Sequence, residues 1–292
     1  DIVGVSFVGS SETGARVYAE AAAEGKRVQV LGEAKNHALV MADCALERTA
    51  AGIINAFCGC AGQRCMALPV VVAEEPVADA LVRLLREKAA HLKLGPAYDK
   101  NTTLGPLVSA SRRKNVLDWI GRGIREGAEL VLDGRGISVP GYENGFFIGP
   151  TLFDHVTPGM SIGEQEIFGP VLCIKRVRNF EEGLSVMNAN PFANGSVIYT
   201  QNGRYAREFT RRTHGGMVGV NVGIPVPVCS FGFTGHKRSF FGDLHTMGTD
   251  GVRFYTEKKT VTSTWFEDGH RGIVDTWDGT LGSLSENSGK RN

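Results

Sequence analysis

Cys65 is the residue of this chain best placed to do chemistry. It lies in Phe57-Cys58-Gly59-Cys60-Ala61-Gly62-Gln63-Arg64-Cys65-Met66, between an apolar-periodic helix and the β-branched run Val70-Val71-Val72. A sulfur presented on a glycine-broken turn between rigid elements can serve as a covalent nucleophile. The neighbouring Arg64 is expected to favour thiolate over thiol and so to lower the pKa. The alternative is a buried, inert cysteine, the commoner fate of a lone Cys. A second feature is Gly9-Ser10-Ser11-Glu12-Thr13-Gly14, a tight turn from a strand into a helix. Its N–H groups and helix N-terminus would suit a pyrophosphate. The pattern is G-x-x-x-x-G rather than G-x-G-x-x-G, and no G-K-[ST] follows. A helix N-capped by Ser10 or Ser11 would explain the same residues.

Strands and helices in alternation must hold these groups. Residues 2 to 8 read as a buried strand, Thr13 to about Ala23 as a helix and Arg27 to Leu31 as a strand, the size of one βαβ unit. From Asp43 to about Cys58, Leu46, Ala50, Ile53, Ile54 and Phe57 recur at helical spacing. Further strands are predicted at Leu68 to Ala73, Glu129 to Leu132, Phe146 to Ile148, Val171 to Val177, Ser196 to Thr200 and Met217 to Val222. Helices are predicted at Val77 to Leu92, from a Ser109 cap to about Glu126, at Phe180 to Asn188 and at Arg204 to Arg212. The alternation predicts an α/β fold with a mainly parallel sheet. Val252 to Tyr255 and Thr260 to Trp265 alternate like edge strands, and from Glu267 onward the Gly-, Ser- and Asp-rich chain reads as a mobile tail.

With 292 residues the chain can bury a large core. A formal net charge of +1 implies no bulk attraction to nucleic acid or membrane. No apolar run approaches the roughly 20 residues that span a bilayer. The six cysteines are too sparse for a disulfide scaffold, which favours a reducing compartment such as cytoplasm or mitochondrial matrix. Cys58 and Cys60 have no second pair at zinc-site spacing, so no metal site is expected. The chain opens inside a strand, Ile2-Val3-Gly4-Val5-Ser6-Phe7, and reads as a piece of a longer protein, with roughly 230 residues expected upstream.

Four blocks fall in one order: Gly9-Ser10 with Gly14; Gly62-Gln63-Arg64-Cys65; Glu166-Ile167-Phe168-Gly169-Pro170-Val171; and Val220-Asn221 followed by Ser230-Phe231-Gly232-Phe233-Thr234-Gly235. In this order, residues 2 to about 265 resemble the C-terminal part of the aldehyde dehydrogenase superfamily. Ala34-Lys35-Asn36-His37, Gln63-Arg64-Cys65-Met66-Ala67, Gly141-Tyr142-Glu143-Asn144-Gly145 and Asn221-Val222-Gly223-Ile224-Pro225-Val226-Pro227 resemble its methylmalonate-semialdehyde dehydrogenase branch.

The resemblance implies a catalytic role for Cys65, which would attack an aldehyde carbonyl and carry the acyl group as a thioester after hydride leaves to NAD. The donors for the oxyanion would be the Cys65 N–H and an Asn upstream of this chain. Cofactor contacts would come from Gly9, Ser10, Gly14, Glu166 and Phe168, with Glu166 on the nicotinamide-side ribose. An isolated Glu is otherwise a surface carboxylate. Hydrolytic members carry a Glu where this chain has Leu31, and leucine cannot activate water. The branch likewise lacks that Glu and passes its acyl group to coenzyme A. Glu33, two residues on, would share a strand face with Leu31 and is a candidate partial substitute. Arg64 would hold the carboxylate of a 3-oxo acid semialdehyde, or else close a helix-terminal salt bridge. Decarboxylation of the β-carboxy thioester would give acetyl- or propionyl-CoA.

The implied architecture is a remnant of a Rossmann-like cofactor domain over residues 1–34, a catalytic α/β domain over 35–240, a return segment and oligomerisation strand over 241–266, and a tail over 267–292. Homo-oligomers, dimers or tetramers, are implied. Two other readings remain open at this point: an aldehyde dehydrogenase that hydrolyses its thioester, and a non-catalytic fragment.

Overall fold

Short β-branched runs and amphipathic helices alternate through the first 220 residues, and the structure, a computed structural model, orders them accordingly. It describes residues 1–263 and Trp265. Strand β1 (Gly4–Val8), helix α1 (Ser11–Ala23) and strand β2 (Arg27–Leu31) form a parallel βαβ unit. There follow β3 (His37–Val40), α2 (Leu46–Cys58), β4 (Val70–Glu74), α3 (Glu75–Ala90), α4 (Ala110–Arg125), β5 (Glu129–Leu132), β6 (Thr151–Asp154) and β7 (Val171–Val177). The remainder is α5 (Phe180–Ala189), β8 (Phe192–Ala193), β9 (Gly195–Tyr199), α6 (Gly203–Arg212), β10 (Met217–Val220), β11 (His236–Lys237), β12 (Phe240–Phe241) and α7 (Gly248–Phe254).

The main sheet has the order β10-β9-β3-β4-β7-β6-β5, parallel throughout except for β5. Its central strands are buried on both faces, which is why Val70, Val71 and Val72 form an unbroken apolar run. The α2 residues predicted to face the core, Ala50, Ile53, Ile54 and Phe57, are buried. The smaller sheet, β1-β2-β12, is closed by Phe240 opposite Leu31.

Three local expectations are corrected. No strand forms at Phe146 to Ile148; the strand lies at Thr151–Asp154. Val252 to Phe254 belong to helix α7, with Tyr255 as its C-cap. A strand would put Val252 and Phe254 on one face, but Phe254 is buried while Val252 and Tyr255 are exposed. Strand β3 was not anticipated. Asp1–Thr256 form one compact unit and Glu257–Asn292 a second. In the second, residues 257–263 and 265 carry no helix or strand, so the edge strand expected from Thr260 is absent among the described residues. The expected tail lies outside them. Among the described residues no helix is long and apolar enough to cross a membrane.

The sheet order places the site. Strands β3, β4 and β7 are neighbours, and the loops that enter them carry Lys35-Asn36, Cys65 and Glu166 respectively. Parallel pairing therefore brings three distant stretches of sequence to one end of one sheet.

Candidate active site

Helix α2 ends at Cys58, and the chain then reverses through Cys60, Ala61 and Gly62, all left-handed at φ 53°, 54° and 71°. Two non-glycine residues in that region store strain of the kind found at functional turns. Gly62 is obligatory for a second reason: a Cβ there would collide with the Gly169 carbonyl of the loop entering β7. Cys65 follows, and the residue is exposed.

Its main chain is clamped by two buried amides. Asn36 Nδ2 donates to the carbonyls of Cys65 (2.9 Å) and Ala67 (2.7 Å), while its Oδ1 accepts from Gly195 N–H (2.7 Å). Asn194 Nδ2 also donates to the Cys65 carbonyl, at 3.1 Å. These positioning residues were missed in the sequence, because amides bonded to main chain leave no spacing pattern. Only the run Ala34-Lys35-Asn36-His37 marked the place.

The expected acidification of the thiol is corrected. Protein packed around the sulfur pushes the Cys65 pKa up, and the Glu166 carboxylate adds to this. The Cys65 and Met66 N–H groups and, least of all, Arg64 act in the opposite direction. Arg64 is weak because it turns away: its Nη2 donates to the Asn55 carbonyl at the end of α2 (2.7 Å). Among the described residues no carboxylate pairs with it, and its Nε is buried without a partner.

Glu166 reaches the segment between β2 and β3. Its Oε1 accepts from Ala34 N–H (3.0 Å). Burial drives its pKa up to about 7; the Ala34 bond opposes this, the Glu33 charge adds to it, and Lys35 and Arg112 oppose it. Phe168 adopts φ 57°, exceptional for a bulky side chain, and the Arg112 guanidinium stands 5.8 Å from its ring centre. Lys35 is buried beneath, with Nζ donating to the Ile162 carbonyl (2.7 Å), and desolvation lowers its pKa.

Ser10 is the N-cap of α1, its Oγ accepting from Thr13 N–H (3.3 Å). Gly14 lets α1 lie against β2, since a Cβ there would meet the Val30 side chain. At Gly9 a Cβ would come within 2.7 Å of the Phe7 ring. Both glycines thus serve packing. Leu31 ends β2, and beyond it Glu33 turns toward α1: its Oε2 accepts from Ser11 N–H (3.1 Å). The carboxylate thus rests on the N-terminus of α1, where its negative charge complements the helix dipole. One hydrogen bond joins Glu33 to Ser11, and another joins Glu166 to Ala34, the residue after Glu33.

Residues 1–261 match the family model described as the aldehyde dehydrogenase family. The chain belongs to that family. It is 48% identical over 266 residues to malonate-semialdehyde dehydrogenase 1 of Bacillus licheniformis, covering 91% of this chain and 54% of the relative. It also matches solved aldehyde dehydrogenases. A protein described as a methylmalonate-semialdehyde dehydrogenase of Sinorhizobium meliloti, complexed with NAD, superposes with a TM-score of 0.89 at 47% identity, covering 91% of this chain and 55% of that one. The methylmalonate-semialdehyde dehydrogenase of Oceanimonas doudoroffii gives the same TM-score at 44% identity and the same coverage. The chain therefore spans about half the length of the curated relatives it matches.

Proposed function

We propose that the protein of this chain oxidises a malonate- or methylmalonate-type semialdehyde with NAD+ and delivers the acyl group to coenzyme A. The observation that carries this reading is an exposed Cys65 on a strained turn, with Leu31 rather than a carboxylate at the end of β2. The names of the relatives support the substrate class, and the NAD complex of a similar structure supports the cofactor.

In this reading Cys65 attacks the aldehyde carbon, and the Asn36 and Asn194 amides keep the sulfur aimed by holding the Cys65 carbonyl. NAD+, when bound, supplies the hydride acceptor. Glu166 and Phe168 border its nicotinamide end, and Gly9, Ser10 and Gly14 shape the turn at its pyrophosphate. The β-carboxy thioester on Cys65 loses CO2, and the coenzyme A thiol then displaces the Cys65 sulfur. Semialdehyde anion, NAD+ and coenzyme A thus give acyl-CoA, CO2 and NADH. Arg64 reaches the substrate carboxylate only by releasing Asn55. Assembly into a homo-oligomer belongs to the same reading.

A hydrolytic alternative is favoured by one observation. Glu166, with its pKa raised to about 7, lies within electrostatic reach of Cys65 and could activate water at neutral pH. Product analysis with and without coenzyme A separates the two. Acyl-CoA formed only with coenzyme A, and slow release of free acid without it, is expected. Free acid released at full rate in its absence refutes the transfer reading.

A further inference from the structure

The first N–H of α1 is already taken by the chain's own anion. Ser11 is wholly buried, and its N–H has one acceptor, Glu33 Oε2, at 3.1 Å. The Glu33 backbone cannot move off. Its N–H donates to Ser11 Oγ (2.9 Å), its carbonyl accepts from Ser239 Oγ (2.7 Å), and the preceding Gly32 N–H donates to the Ser239 carbonyl (2.9 Å). Ser11 Oγ in turn donates to the Arg238 carbonyl (2.8 Å). Only the half-buried Glu33 side chain is free to swing. Two residues on, Thr13 N–H is held by Ser10 Oγ.

An arriving pyrophosphate therefore meets a carboxylate at the very terminus that should attract it. Two anions cannot share one donor group, and the buried Ser11 N–H needs an acceptor in either state. We infer that Glu33 is a built-in competitor for the dinucleotide: its carboxylate holds the start of α1 in the free protein, must rotate out when a pyrophosphate takes its place, and so sets how tightly this chain holds NAD+. This rests on the reading of NAD+ as the cofactor. Glu33 is accordingly no substitute for the missing base, since its carboxylate points at the helix and not at Cys65.

The size of the effect follows from the fraction of molecules in which the terminus is open. If the carboxylate is seated in about nine molecules of ten, the observed dissociation constant is about tenfold weaker than that of the open form. The test is a titration of NAD+ onto the full protein and onto Glu33→Gly and Glu33→Gln, followed by calorimetry, with melting temperatures recorded without NAD+. Both substitutions should lower the melting temperature, because the helix loses its anion. They should also tighten NAD+ by about tenfold for Glu33→Gly and by less for Glu33→Gln, whose amide still accepts from Ser11. If Glu33→Gly does not fold, Glu33→Gln decides. A lower melting temperature with NAD+ affinity unchanged or weakened makes Glu33 a helix cap and nothing more, and overturns the inference alone. No NAD+ binding by any of the proteins at millimolar concentration removes the cofactor reading, and this inference with it.

Discussion

At the scale of single residues, the Glu166 charge bears on Cys65. Desolvation raises both pKa values, and the Glu166 charge raises that of Cys65 further. A thiol above its ordinary range reacts slowly near neutrality because only the thiolate attacks. Alkylation of Cys65, followed on its own peptide by mass spectrometry, should therefore keep rising with pH beyond the ordinary thiol midpoint. Glu166→Gln removes the like charge and should speed that alkylation several-fold at pH 8. The same variant has a stability signature of definite sign. The Glu166 carboxyl titrates near 4.5 when unfolded and near 7 when folded, so the folded state holds the proton more tightly between these values. Its contribution is complete below 4.5 and is lost as pH rises through about 7. Conversion at about 1.4 kcal/mol per pKa unit, discounted for its partial access to solvent, gives about 1–3 kcal/mol. Glu166→Gln should be more stable than the parent by that amount at pH 8, with the gap closing below pH 4.5, as read by urea unfolding. A gap independent of pH would refute the burial argument.

At the scale of elements, the site exists because three loops meet at the amino ends of β3, β4 and β7. The seam between two of them is Gly62 against Gly169. Gly62→Ala adds a Cβ at φ 71° that would strike the Gly169 carbonyl. The left-handed strain and the collision together should cost about 2–4 kcal/mol in chemical unfolding, and Cys65 should lose its distinct alkylation rate as the loops part. A variant as stable as the parent would show that the seam can yield. Much of this arrangement was legible beforehand. The 3.6-residue spacing of Ala50, Ile53, Ile54 and Phe57 marked α2 and hence the turn behind it, and Ser109 marked the start of α4, where its Oγ accepts from Arg112 N–H. Strand β3 was not legible. Its four residues, His37 to Val40, are all buried, so they show no alternation, and a polar Asn36-His37 start disguises a central strand as a loop. Arg64 was misjudged because adjacency in sequence says nothing about direction, and the guanidinium follows the carbonyl of Asn55 rather than the neighbouring sulfur. Glu33 could be placed near Leu31 from strand periodicity, yet its tie to Ser11 depends on how closely β2 meets α1.

At the scale of the whole compact unit, the chain's late return ties its first sheet to a separate two-stranded sheet, β11-β8. After β10 the chain comes back through β11, which pairs with β8, and β12, which pairs with β2. Between them stands Ser239, 2% exposed. Its Oγ accepts from Ala193 N–H (3.1 Å) and donates to the Glu33 carbonyl (2.7 Å), and its own carbonyl accepts from Gly32 N–H (2.9 Å). One hydroxyl thus joins strand β8 to the turn after β2, residues 160 positions apart in sequence (193 − 33). Ser239→Ala strands a buried donor at Ala193 and a half-buried acceptor at Glu33, each costing about 1–3 kcal/mol when left unpaired. A net loss of about 2–4 kcal/mol is expected, because the Gly32 bond to the main chain of residue 239 survives. Amide exchange should quicken at Ala193, whose acceptor is lost, while staying slow in β4 and β7, whose bonds do not involve Ser239. Uniform acceleration across all strands would mean that the two sheets open together, and Ser239 would then be one bond among many rather than the joint between them.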